Sequence, residues 1–438
     1  MDRREFPRRR KRLMDMMGND SIAIIPTSSV RIRNRDVEYP FRPDSDFFYL
    51  TGFPEPEAVA ILIPDRSSGE FVLFCRERDP EMETWNGLRA GLEGARERYG
   101  ADDAFPMSDL DDILPGLLED RERIYYTMGA DPTFDLRVVG WVNQVRKRVR
   151  TGVSAPDEFI ALTHILHDMR LYKSRQEIKA MRQAARIAAS AHKRAMQHCS
   201  PGMTELEVEA ELMHEFMRLG ARSPAYSPIV GGGANSCILH YTDNCETLND
   251  GDVLLIDAGA EYEGYASDIT RTFPVNGRFS PAQRAIYELV LESQLAAIAA
   301  VKPGNHWNDP HDAAVAVLTE GMVQLGILKG RTRTLIKEQA YAKYFMHRTG
   351  HWIGMDVHDV GDYKVDGEWR MLEPGMVLTI EPGLYFPAER GTARKWWNIG
   401  VRIEDDVLVT PEGHDVLSKD APKTIDEIES LMGMDAAA

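Results

Sequence analysis

At 438 residues the chain exceeds what one ordinary hydrophobic core organises, so two or three domains are expected. Hydrophobic residues make up 43% and charged residues 28%, a globular balance that excludes a disordered chain. The net charge of −17 argues against nucleic acid or an anionic membrane as the main partner. Cys75, Cys199, Cys237 and Cys245 are scattered without a CxxC pair, which suggests a reducing compartment and no thiolate metal site. No run of about 18 apolar residues is present, so no membrane-spanning helix is expected. The Arg-rich start lacks an apolar segment and carries Asp2 and Glu5, unlike a targeting peptide. A cytoplasmic protein is the resulting expectation.

Up to about residue 171, strand and helix patterns alternate, which predicts an α/β domain. Short apolar runs at 21–26, 58–64 and 71–75 read as strands. Residues 39–53 gather aromatics around a proline-broken loop that reads as an anchored surface. Trp85, in Glu83-Thr-Trp-Asn-Gly, reads as part of a polar loop and a mild interface signal. A boundary follows near 172. There Ser174 and Glu177 fit a capping box opening a helix to about Cys199, and Thr204 with Glu207 caps another to about Leu219. Further helices are predicted over 281–300 and 309–325. The glycine run Gly231–Gly233 lacks the Lys-Ser/Thr of a phosphate loop and reads as a tight turn or close backbone approach.

Residues 253–258 and 265–273 read as a hairpin, and folding it about Tyr262–Glu263 sets Asp257 opposite Asp268. Like charges at that spacing need a cation between them, unless the acids face water. Further along, His347, His351 and His358 fall in a Gly-interrupted segment. The strand over 376–381 ends in Glu381, with Pro382-Gly383 forcing a turn. The strand over 399–409 puts Arg402 and Glu404 on one face. Four carboxylates and a neutral imidazole carry about −4, which two divalent cations balance. Oxygen-rich ligation favours Mn²⁺, with Co²⁺ and Zn²⁺ as alternatives.

Taken together, these residues resemble the "pita-bread" metallopeptidases, and among them the Xaa-Pro aminopeptidases, over nearly the whole chain. The ligand order Asp, Asp, His, Glu, Glu is the most specific part of the match. The resemblance implies a creatinase-like N-terminal α/β domain over 1–171 and a C-terminal pita-bread catalytic domain over 172–438. It implies that Asp257 holds one metal, His351 and Glu381 the other, and that Asp268 and Glu404 bridge both. His240, His347, His358 and Arg402 match positions for substrate binding and proton transfer, with Glu381 also catalytic. Trp85 and Tyr385 are expected at the substrate, Trp85 by capping the site of a neighbouring subunit in a homo-oligomer, a dimer or tetramer. Arg348 and the run Lys395-Trp-Trp-Asn are departures expected near the site.

The implied activity is release of the first residue from peptides with proline second, by a hydroxide shared between two metals. Glu381 would carry a proton toward the proline nitrogen, with His358 or His240 assisting or polarising the carbonyl. A prolidase cutting only dipeptides shares every ligand and remains the alternative, ahead of a non-catalytic binding protein of the same fold.

Overall fold

The computed structural model describes residues 2–433, which fall into two compact units divided between Met169 and Arg170. In the first unit, six strands form one mixed sheet. Their order is Asp103–Pro106, Phe71–Cys75, Val59–Leu62, Ser21–Pro26, Arg123–Tyr125, Glu158–Ile160. The three predicted strands are its centre and pair antiparallel, while the outer pairs are parallel. Ile22, Ile24, Ile61, Val72 and Phe74 bury one face of this sheet against Leu114, Val138 and Trp141. Central strands covered on both faces lose the polar alternation of a half-exposed sheet, so they read as unbroken apolar runs.

Two loop expectations in this unit are corrected. Residues 45–51 are helical, because Asp44 caps Phe47 N at 2.9 Å and Gly52 closes the helix in the left-handed region. Trp85 lies on the helix Pro80–Asn86, started by Asp79 and Pro80, and not in a loop. It is 78% exposed, and no residue of that helix is buried.

The second unit opens with Arg175–His198 and Glu205–Arg218, each begun by the predicted capping box. With Pro281–Ala300 and Asp309–Gln324 they pack against Leu254, Ile256, Phe273 and Val401 from the strands. One antiparallel sheet is ordered Ile229–Gly232, Val253–Asp257, Thr270–Pro274. A second is ordered Val377–Ile380, Asp405–Thr410, Gly413–Val416, and Gly383–Phe386 pairs with Ile399–Arg402.

The strand over 399–409, expected to be continuous, is two strands in two different sheets. At the break, Glu404 N leaves its neighbours and bonds Thr270 O at 3.0 Å. The strand over 376–381 stops likewise, with Glu381 N on Thr349 O at 2.8 Å and Pro382 unable to donate. Tyr265–Phe273 also divides, into Tyr265–Ala266 and Thr270–Pro274, with Asp268 between them. Each break carries a carboxylate. Among the described residues no helix is long and apolar enough to cross a membrane.

Candidate metal centre

The hairpin turns one residue later than Tyr262–Glu263. Glu263 and Gly264 both have positive φ, 51° and 81°, the pattern of a two-residue type I′ connection. Tyr262 then pairs with Tyr265 and Asp257 with Thr270. Asp268 is therefore diagonal to Asp257 and faces Gly259, where any Cβ would lie 1.7 Å from Ser267 O. A shift of one turn residue preserves the parity of the pairing, so both acids still share a face. Tyr226 marks that face: its hydroxyl donates to Asp257 at 2.5 Å and also contacts Asp268.

Asp257, Asp268, His351, Glu381 and Glu404 line one cleft of about 460 Å³, together with His240, His347, His358, Arg348 and Arg402. One oxygen each from Asp268 and Glu404 and one His351 nitrogen lie within 4.8 Å of one another. His351 Nδ1 donates to Trp352 O at 2.9 Å, which aims Nε2 at Asp268 Oδ2, 3.3 Å away, and Glu381 Oε1, 3.9 Å away. His358 stands edge-on to the His351 ring at 4.5 Å between centroids.

The electrostatics favour a bound cation. Burial, followed by the nearby Asp268, Glu381 and Asp257 charges, pushes Glu404 well above the carboxylate range. Burial and the Asp257 charge raise Asp268. Burial also raises Glu381, to about 7, against the pull of His351 and Arg402. Burial alone would lower His351, but Asp268 and Glu381 hold it up at about 9. Only Asp257 has a guanidinium of its own: burial works to raise it, but Arg402, with Nη2 at 2.7 Å, and the Tyr226 hydroxyl together outweigh that and lower it. Two arginines, Arg348 and the Arg402 already paired with Asp257, against four carboxylates leave the cleft short of positive charge. Buried charges of one sign require a partner, and an oxygen set with one imidazole suits a divalent ion. The residues present fit the metal.

Two expected contacts are placed elsewhere. Tyr385 is fully buried and absent from the cleft wall. Its hydroxyl accepts from Arg402 Nη1 at 3.0 Å and meets His347 Nε2 at 2.8 Å, so it acts on a substrate only through those two side chains. The run Lys395–Asn398 is likewise absent from the wall, and Trp396 packs on Phe386. Two residues the sequence reading left out stand close in. Thr270 Oγ1 donates to Glu404 Oε2 at 2.7 Å and accepts from Arg402 Nε at 3.2 Å. Extending the period of two by one step beyond Asp268 would have found it. Tyr226 sits in an irregular loop with no periodic signal.

Comparison with known proteins agrees with this geometry. Residues 179–411 match metallopeptidase family M24, and residues 6–125 match the aminopeptidase P N-terminal domain. The chain is 46% identical to the Xaa-Pro aminopeptidase of Escherichia coli (strain K12), covering 99% of this chain and 98% of that protein. It is similar to the solved aminopeptidase PepP of Pseudomonas aeruginosa, with a TM-score of 0.99 and 58% identity over 100% of this chain and 99% of that one. Zn-substituted E. coli aminopeptidase P in complex with product gives a TM-score of 0.97 at 45% identity, over 100% and 99% of the two chains. The chain belongs to metallopeptidase family M24 and to its Xaa-Pro aminopeptidases, metal-dependent hydrolases acting on peptides with proline in second position.

Proposed function

We propose that the cleft works with two divalent cations, Mn²⁺ before Co²⁺ or Zn²⁺. Asp257 would serve one, His351 and Glu381 the other, and Asp268 and Glu404 would be common to both. When bound, such ions supply Lewis acidity toward the scissile carbonyl and toward water. The convergence of those five side chains with three further histidines on one wall carries this reading.

The chain's own residues then handle orientation and protons. Glu381 Oε2 lies 4.0 Å from His347 Nδ1 and takes the proton of the attacking water. The proline nitrogen has no hydrogen in the peptide and must gain one to leave, delivered by Glu381 with His358 or His240 alongside. Burial, then the Arg402 charge, lowers His347 to about 4, so at neutral pH it is an uncharged imidazole. Held by Tyr385 and by Arg348 O at 2.7 Å, it orients the peptide without adding charge.

We read residues 1–171 as the N-terminal domain and 172–438 as the catalytic one. The exposure of Trp85 supports a homo-oligomer in which it reaches a second copy's cleft, and the location is read as cytoplasmic. The test is to compare metal-loaded protein on Ala-Pro-Ala, Ala-Pro and Ala-Ala-Ala. Fastest release of alanine from Ala-Pro-Ala supports the reading. Cleavage confined to Ala-Pro returns the prolidase alternative, and equal rates on Ala-Ala-Ala overturn the proline assignment.

A further inference from the structure

Of the two guanidinium groups on the cleft wall, Arg402 is committed to Asp257, whereas Arg348 makes no ion pair among the described residues. Arg348 is nevertheless held in place. Its Nη2 donates to Asn308 Oδ1, and its Cζ lies 5.4 Å from the centre of the Trp369 ring. That indole carries a second cation. Lys364 is the direct cross-strand partner of Trp369 in a hairpin turning at Asp366-Gly367, and its Nζ sits 4.5 Å from the same ring. Lys364 also lacks an ion pair among the described residues. Two cations therefore share one aromatic ring without a counter-ion, in a chain of net charge −17.

A guanidinium has five N–H donors in a planar fork matched to a carboxylate, and only one of these is used here. The cation–π contact with Trp369 and the bond to Asn308 restrict that fork, so less order is lost when an anion binds. The opposite influence comes from the four acids on the cleft wall, Asp257, Asp268, Glu381 and Glu404. They attract the free amine of a peptide and repel its carboxylate, so a negatively charged end is tolerated only beside a cation on the rim.

We propose that Arg348, supported by Trp369 and Lys364, is a specificity residue that receives a substrate carboxylate downstream of proline. The carboxylate is either the C-terminus of an Xaa-Pro-Yaa tripeptide or an acidic third side chain. This rests on the cleft being where the peptide is cut, and the experiment separates the two.

The experiment measures kcat and KM for two matched pairs: Ala-Pro-Ala against Ala-Pro-Ala-NH₂, and Ala-Pro-Asp-NH₂ against Ala-Pro-Asn-NH₂. The first pair reports the C-terminal carboxylate and the second the side chain. For a charge-assisted contact at an exposed site, the acid member of at least one pair should have a KM lower by about two- to fivefold. Arg348→Gln should collapse that ratio toward one, Arg348→Lys should keep part of it, and Arg348→Glu should invert it. If acid and amide are handled alike by the wild type, or if the ratio is the same in Arg348→Gln, the proposal is overturned. Absence of cleavage of every one of these peptides would instead overturn the assignment of the cleft.

Discussion

Glu404 and Asp405 are neighbours in the chain, and both are fully buried, but the protein handles their charges in opposite ways. Asp405 faces a knot in which Arg271 Nη2 at 2.8 Å, Lys423 Nζ at 2.7 Å, Gln294 Nε2 at 2.8 Å and Ser418 Oγ at 2.6 Å all donate to it. Burial would raise Asp405, but Arg271 and Lys423 outweigh it and hold the carboxyl far below its usual range. Glu404 faces the cleft, has Thr270 Oγ1 as its donor, and is pushed far above that range by burial and by its acidic neighbours. The chain itself neutralises Asp405, whereas on the proposed reading Glu404 is left for a ligand to neutralise. Arg271 joins the two regions, since its Nη1 also donates to Glu404 O at 2.6 Å and Thr270 O at 2.9 Å, fixing the backbone on which the cleft acids stand.

The sharpest way to separate the two regions is to damage each in turn. Asp268→Ala should abolish Ala-Pro-Ala turnover and lower the metal content of the purified protein, while denaturant unfolding stays cooperative. Retention of full metal content by this variant would break the comparison on the cleft side. Arg271→Met should act through stability, because it strands Asp405 without its main partner. A loss of about 3–5 kcal/mol in denaturant unfolding is expected for a broken buried pair. A change below about 1 kcal/mol would mean the knot is not what neutralises Asp405.

A subtler contrast lies in pH. Without cations, Glu404 and Asp268 titrate above their unfolded values, so above about pH 4 the native chain binds more protons than the unfolded one. Their contribution to stability is therefore lost as pH rises toward the folded values, and bound cations remove that loss. Asp405 has the opposite sign: its depressed pKa contributes stability above the unfolded value that disappears only in acid. The gap in Tm between Mn²⁺-loaded and chelator-treated protein should thus widen from about pH 5.5 to about pH 8. A gap that narrows would mean the cleft acids are not the metal's partners.

What was legible in the sequence follows the range of the interactions. The capping boxes Ser174/Glu177 and Thr204/Glu207 are closed within one helical turn, so local pattern finds them. The apolar runs of the first unit's sheet were plain because both of its faces are buried. The cleft acids are visible in the sequence because each sits beside an apolar strand, and the resemblance of their order implies their roles. The hairpin register was misread by one turn residue, since its turn depends on Glu263 adopting a positive φ beside Gly264. The strand breaks at Glu381 and Glu404 were missed because the replacement hydrogen bonds go to Thr349 and Thr270, remote in sequence. The knot around Asp405 is hidden for the same reason: its partners come from one strand, one helix and the segment between Val416 and Ile425, and no local window contains them all.

If divalent cations make up the shortage of positive charge in the cleft, they must bind to it in solution. The most direct test is metal analysis of the wild-type protein after equilibrium dialysis against Mn²⁺, with Co²⁺ and Zn²⁺ in parallel. Two ions bound per chain are expected for at least one of these metals, with Asp268→Ala binding fewer. A wild-type protein that binds none of the three would contradict this expectation.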